Sequence, residues 1–197
     1  RLAYESAHRV VTLFYANQRS EIALGAPPAR CQVIPNGVAF EHYASIERTP
    51  REGLHIGLIG RVVPIKDAKT FIAACRSLAP QFPDAHFYCV GPLEEDPEYV
   101  SECRALADNF GLADRMHFTG SQDVREYYAF LDVVVLTSVS EAQPLVILEA
   151  FAAGVPCVAT RVGDVPSLLD QDDRFIAVPK DAPGIARRIA WVLTGRE

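Results

Sequence analysis

Leu54-His55-Ile56-Gly57-Leu58-Ile59-Gly60-Arg61-Val62-Val63-Pro64-Ile65-Lys66-Asp67 is an apolar run that stops at a glycine, crosses a loop with two cations, and opens into a helical pattern at about Asp67. The run is apolar rather than alternating, as a strand covered on both faces must be. Runs of the same kind follow at 85–90, 115–119, 132–137, 157–160 and 174–178, separated by helical stretches with readable ends. Pro97 and Gly111 punctuate one helix and Pro144 and Gly154 another, each as a first-turn proline and a glycine just past the last turn. Short buried strands alternating with helices make βαβ units and therefore a mainly parallel sheet. The expected fold is α/β, a doubly wound, Rossmann-like parallel sheet.

Upstream of Leu54 the pattern changes. Residues 9–15 read as a strand, 17–24 as a short helix and 31–34 as a second strand, followed by the turn signal Pro35-Asn36-Gly37. Residues 41–51 are polar, charged and unpatterned, and form the candidate linker. Composition bounds what the molecule can do. With 49% hydrophobic positions in 197 residues it can bury a core, and a formal charge of −6 lacks the dense cation supply that general nucleic-acid binding needs. No nucleic-acid partner is expected, and any phosphate must be held locally. The five cysteines, Cys31, Cys75, Cys89, Cys103 and Cys157, fall mostly in apolar runs without C-x-x-C or metal-type spacing, so they read as reduced, buried thiols. No stretch approaches the roughly 20 apolar residues of a membrane span, and no signal-peptide pattern opens the chain. A soluble, cytoplasmic protein is expected, and, with a start at Arg1 rather than methionine, a piece of a longer one is expected too.

In open α/β sheets ligands sit outside the carboxyl ends of the strands, so chemistry is sought in the loops after the runs. Gly60 ends a strand where the backbone must turn, and Arg61 and Lys66 lie five residues apart beside a helix start. A guanidinium fork, an ammonium and free backbone N–H groups suit a diphosphate; a solvated loop with two surface cations is the bland alternative. Neither G-x-G-x-x-G nor the lysine-serine ending of a P-loop is present. After 132–137 comes Ser140-Glu141-Ala142-Gln143-Pro144-Leu145, with Pro144 at the expected first helical position. Glu141 then lies in the loop and Glu149 more than a turn inside an otherwise apolar helix. A carboxylate there needs hydrogen-bond donors: sugar or ribose hydroxyls, a buried cation, or a backbone N–H. Phe118-Thr119-Gly120 ends another strand and can offer an aromatic edge and backbone to a nucleobase, although Ser121, Gln122 and Asp123 also explain it as a helix start. Gly91 is a further strand-end turn. The histidines lack metal or triad spacing, Asp170-Gln171-Asp172 has the letters of a D-x-D metal motif but the position of a turn, and no G-x-S-x-G is present. No metal site is expected.

Taken in order, Pro35-Asn36-Gly37, Gly60-Arg61 with Lys66-Asp67, Glu141 and Glu149 with seven residues between them, and Ala153-Gly154-Val155-Pro156-Cys157-Val158-Ala159-Thr160 resemble the C-terminal half of family-4 retaining glycosyltransferases, glycosyl transferases group 1 of the GT-B fold. Residues 60–67 are similar to the PelF subgroup, cytoplasmic transferases associated with assembly of the Pel exopolysaccharide. The resemblance implies that residues 1–50 end an N-terminal domain and form the interdomain linker, and that residues 51–197 are the C-terminal nucleotide-sugar-binding domain. It implies a hexosyltransferase that moves a sugar from a UDP-sugar to a carbohydrate acceptor with retention, without a cofactor. By resemblance Arg61 and Lys66 neutralise the leaving diphosphate, Glu141 contacts the donor sugar, Glu149 bonds the ribose, and the backbone from Gln143 through Pro144 to Leu145 adds N–H groups. The implied partners are the N-terminal domain, which carries most of the acceptor site, and a membrane-associated polysaccharide synthesis complex. The chain alone is then expected to bind nucleotide and transfer no sugar. Where the family often has a glycine just after the first glutamate, this sequence has Ala142-Gln143. A nucleotide-sugar epimerase or a noncatalytic nucleotide-binding module would need the same phosphate site. A nicotinamide-dependent dehydrogenase would need the missing glycine fingerprint.

Overall fold

A computed structural model describes residues 2–195. The chain runs through α1 (Leu2–Ser6), β1 (Val10–Thr12), α2 (Tyr15–Ala23), β2 (Cys31–Val33), α3 (Phe40–Ala44), β3 (Leu54–Ile59), α4 (Ala68–Leu78), β4 (Ala85–Val90), α5 (Pro97–Asn109), β5 (Met116–Gly120), α6 (Val124–Tyr128), β6 (Val133–Leu136), α7 (Leu145–Ala152), β7 (Cys157–Thr160), α8 (Val165–Leu168), β8 (Ile176–Ala177) and α9 (Ala182–Thr194). β1 and β2 pair in parallel as a small sheet, and the remaining six strands form one parallel sheet in the order β5-β4-β3-β6-β7-β8. The order reverses direction between β3 and β6, which is the doubly wound arrangement expected.

Both faces of this sheet are covered, and the strand sequences show why. Along β6, Val133 and Val135 enter one core with Phe71 and Leu78 of α4, Cys103 of α5 and Ile189 of α9. Val134 and Leu136 enter the opposite core with Tyr128 of α6, Ile147 of α7 and Val165 of α8. Alternate side chains leave a strand on opposite faces, so a strand between two helical layers must be apolar at every position. Helix ends follow their local signals. Asp96 caps α5 through the Tyr99 N–H, Pro97 takes its first position, and Gly111 follows with φ 69°. Asp67 caps α4 from a left-handed conformation, φ 51°.

Three expectations need correction. Pro144 is the N-cap of α7, extended at φ −72° and ψ 121°, so the helix begins at Leu145. The strands expected at 9–15 and 174–178 shrink to Val10–Thr12 and Ile176–Ala177. At the second, Arg174 is turned back onto the carboxylate of Asp172 before the strand begins. Residues 41–51, the candidate linker, complete α3 and then lie along the end of α6. Arg48 donates to the carbonyls of Tyr128 and Leu131, both at 2.8 Å, Thr49 N–H donates to Ala129 at 2.8 Å, and Arg51 stacks on Phe130 at 3.7 Å. A short helix leaves its last carbonyls without intrahelical donors, and this polar strap supplies one to Tyr128, the last residue of α6, and others to Ala129 and Leu131 just past it. Among the described residues no helix is long and apolar enough to cross a membrane.

Candidate functional site

The strands β3, β4 and β5 each end at a glycine. Gly60 and Gly91 adopt φ 147° and 143°, and a Cβ on Gly91 would sit 2.3 Å from the Gly60 carbonyl oxygen. Gly60 N–H bonds to Val90 and Gly91 N–H to Gly120, so the three strand ends close against one another and form a backbone shelf. The expected positions Gly60, Gly91 and Thr119 all lie on this shelf. Thr119 turns its hydroxyl onto the Gly120 carbonyl at 3.0 Å. Phe118 does not join it: its ring packs against the α5 face of the core with the Arg104 guanidinium 4.7 Å from its centroid, so it presents no edge to a base there.

Between β3 and β6, at the reversal of strand order, the loops are sewn together. Thr137 Oγ1 lies 2.9 Å from the carbonyls of both Lys66 and Asp67, and Val139 N–H donates to Ile65 at 2.9 Å. This seam brings Lys66 Nζ to 2.5 Å from Glu141 Oε1, which also accepts from Ser138 Oγ at 2.7 Å. The pair is mostly shielded, with side chains 20% and 14% exposed, so its attraction is less screened than that of a surface pair. Arg61 stands beside it with Nη1 2.8 Å from Glu95, both side chains about half exposed. An exposed pair is held weakly and is readily given up to a stronger anion. Both cations singled out in the sequence therefore have carboxylate partners, and Lys66 is joined to the very glutamate singled out across the site.

Glu149 projects from α7 into the other face of the sheet. Its Oε2 accepts from the Tyr128 hydroxyl at 3.0 Å, and the Tyr43 phenol of α3 is raised above its ordinary range by burial first and then by the nearby Glu149 charge. Burial first, then the Glu149 charge, push the Tyr128 phenol well above its ordinary range, so it remains a donor. The half-buried carboxylate thus takes a phenol as donor, one not anticipated in the sequence. A carboxylate accepts more than two hydrogen bonds, which leaves capacity for hydroxyls of a ligand.

Leu145 is 44% exposed at the start of α7, while Pro144 and Gln143 are buried behind it. Gln143 is bound on both sides: Oε1 accepts from Asn36 N–H at 2.5 Å and Nε2 donates to Asp164 at 2.7 Å. Asp170-Gln171-Asp172 forms a turn with positive φ at its first two residues. An apolar hollow of about 350 Å³ lined by Phe151, Cys157, Leu169 and Phe175 opens at the other end of β7, away from the charged loops. The residues missed by sequence reading, Tyr43, Glu95, Tyr128, Ser138 and Asp164, are polar groups scattered between the motifs, while Asn36 stands in the Pro35-Asn36-Gly37 turn without its partner being legible. The glycine before Asp164, in the loop after β7, is a local signal for one of them.

Comparison with known proteins accords with this geometry. The family described as Glycosyl transferases group 1 matches residues 53–195. The chain is similar to D-inositol 3-phosphate glycosyltransferase of Corynebacterium urealyticum, 27% identical over 93% of this chain and 51% of that protein. It is also similar to an exopolysaccharide phosphotransferase of Streptomyces coelicolor, 32% identical over 93% of this chain and 19% of that protein. The crystal structure of Anabaena Alr3699/HepE in complex with UDP and glucose superposes with a TM-score of 0.86 at 25% identity, covering 98% of this chain and 55% of that one. The chain thus spans about half the length, or less, of these relatives.

Proposed function

The chain belongs to the glycosyl transferases group 1 family, and we propose that it is the donor-binding part of a retaining family-4 glycosyltransferase of the GT-B fold that uses a UDP-sugar. The observation that carries this is the Lys66–Glu141 pair across the strand reversal, with Arg61 beside it. A pyrophosphate entering the seam competes with Glu141 for the Lys66 ammonium and with Glu95 for the Arg61 guanidinium. Glu141, released from Lys66, is then placed to accept from hydroxyls of the donor sugar, while Glu149 accepts from the ribose. As the bond from the anomeric carbon to the β-phosphate oxygen breaks, negative charge grows on the diphosphate, and the two fixed cations stabilise it. That task is within reach of the protein's own groups, so a metal-independent reaction is proposed. Retention follows if the same β-phosphate oxygen takes the proton of an acceptor hydroxyl arriving on the face it leaves.

The Anabaena structure bound to UDP supports the uridine nucleotide, and the exopolysaccharide phosphotransferase relative supports a carbohydrate acceptor in exopolysaccharide assembly. The PelF-like character of residues 60–67 adds to this, and the preceding domain of the same protein is the partner that would complete the acceptor side. Isothermal titration of the chain with UDP tests the proposal. Lys66→Ala and Arg61→Ala are each expected to weaken binding about tenfold or more, the loss of a charge-assisted contact. Absence of UDP binding by the parent chain, or full binding by both variants, overturns it.

A further inference from the structure

We propose that Asn36, Gln143 and Asp164 form a positioning relay for the loop that carries Glu141, so that the segment between β2 and α3 governs how well that loop receives an anion. The inference deepens the donor-site proposal and rests on it. Asn36 lies in the Pro35-Asn36-Gly37 turn, 107 positions before its partner. It grips Gln143 twice, main chain to side-chain Oε1 at 2.5 Å and side chain to main-chain carbonyl at 2.9 Å. On the far side Gln143 Nε2 donates to Asp164 at 2.7 Å, and Asp164 returns its own N–H to the Ala142 carbonyl at 2.8 Å. Gln143 and Asp164 are 8% and 9% exposed, so neither bond can be replaced by water without opening the loop.

The relay holds backbone as well as side chains. It occupies the carbonyls of Ala142 and Gln143, the residues that separate Glu141 from the cap of α7. Gly163, at φ 52°, presses against the same loop: a Cβ there would fall 2.2 Å from the Glu141 carbonyl oxygen. Glu141 is therefore fixed from behind by Gly163 and the relay and from the front by Ser138 and Lys66. The Gln143 side chain is spent on this holding, which makes it a positioning residue, not a ligand contact. A shift of residues 34–37 moves Gln143 with it and alters the place of Glu141 relative to Lys66.

A reciprocal exchange tests the relay. Gln143→Glu sets a carboxylate against Asp164 and removes the donor between them. UDP affinity at pH 7 is expected to fall at least tenfold, with faster amide hydrogen exchange confined to residues 141–146. The double variant Gln143→Glu/Asp164→Asn reverses the donor and acceptor, leaves the net charge of the pair unchanged and still offers an acceptor to Asn36. It is expected to recover affinity to within threefold and to restore the exchange rates. Asn36→Ala, which buries no charge, is expected to fold normally and bind UDP three- to tenfold more weakly. Parent-like affinity in Gln143→Glu or Asn36→Ala, or a double variant as weak as the single, overturns the relay. If the parent chain binds no UDP, the donor-site proposal fails, and the relay is then decided by exchange alone: acceleration in the single variant with restoration in the double supports it, and unchanged rates overturn it.

Discussion

Glu149 shows what a single residue's environment decides. A carboxylate inside an apolar helix requires donors, and that requirement is legible in the sequence; the identity of the donors is not, because Tyr128 lies 21 positions away on another helix. Tyr128→Phe keeps the ring in its packed site and removes one phenol from a charged acceptor. Such a bond is worth about 1.5–3 kcal/mol, so the urea midpoint should fall accordingly. An unchanged midpoint would show that Glu149 reaches water in its place. Lys66 and Glu141 teach the same lesson more sharply. Each was recognisable alone, as a cation beside a helix start and a carboxylate in a loop, yet they stand 75 positions apart and their pairing is invisible to spacing.

At the scale of elements, the strand β3 tolerates a glycine in its middle for a packing reason. A Cβ on Gly57 would stand 2.6 Å from Leu131 Cδ1, and Leu131 is fully buried beneath the sheet. Gly57→Ala should therefore destabilise the chain by about 1–3 kcal/mol, the usual penalty of overpacking, read as a lower denaturation midpoint with unchanged slope. A neutral result would mean that Leu131 has room to rotate. Helix and strand boundaries that depend on Gly, Pro or Asp were readable because these residues act through their own backbone. Pro144 was misplaced by one position because a proline suits both the N-cap's extended conformation and the first helical turn. The strap at 45–51 escaped notice because its attachment is made by polar groups to carbonyls at and just past the end of α6, and hydrophobic periodicity carries no trace of such bonds.

Across the whole molecule, three histidines on neighbouring strands form a stack over the β3, β4 and β5 face: His55 on His86, and His86 on His117 with ring nitrogens 3.2 Å apart. Burial is the main cause that lowers His55 and His117 below the ordinary value of 6.5, and charge on His86 would lower both further. The folded chain then binds these protons less readily than the unfolded one, so stability is full above pH 6.5 and is lost as pH falls below it. The urea midpoint is expected to drop between pH 7.5 and 5.5, with His117→Gln showing a smaller drop; a rise on acidification would contradict the stack. The sequence by itself determined which segments are strands and helices, that both sheet faces are covered, and that cations and carboxylates sit in loops after strands, because each of these follows from local periodicity and backbone chemistry. Only the tertiary structure decided that β3 and β6 are neighbours, that Lys66 meets Glu141, and that Gln143 is held between Asn36 and Asp164. Strand order is set by how the helical layers close over both faces, and that closure, not spacing along the chain, places distant loops side by side.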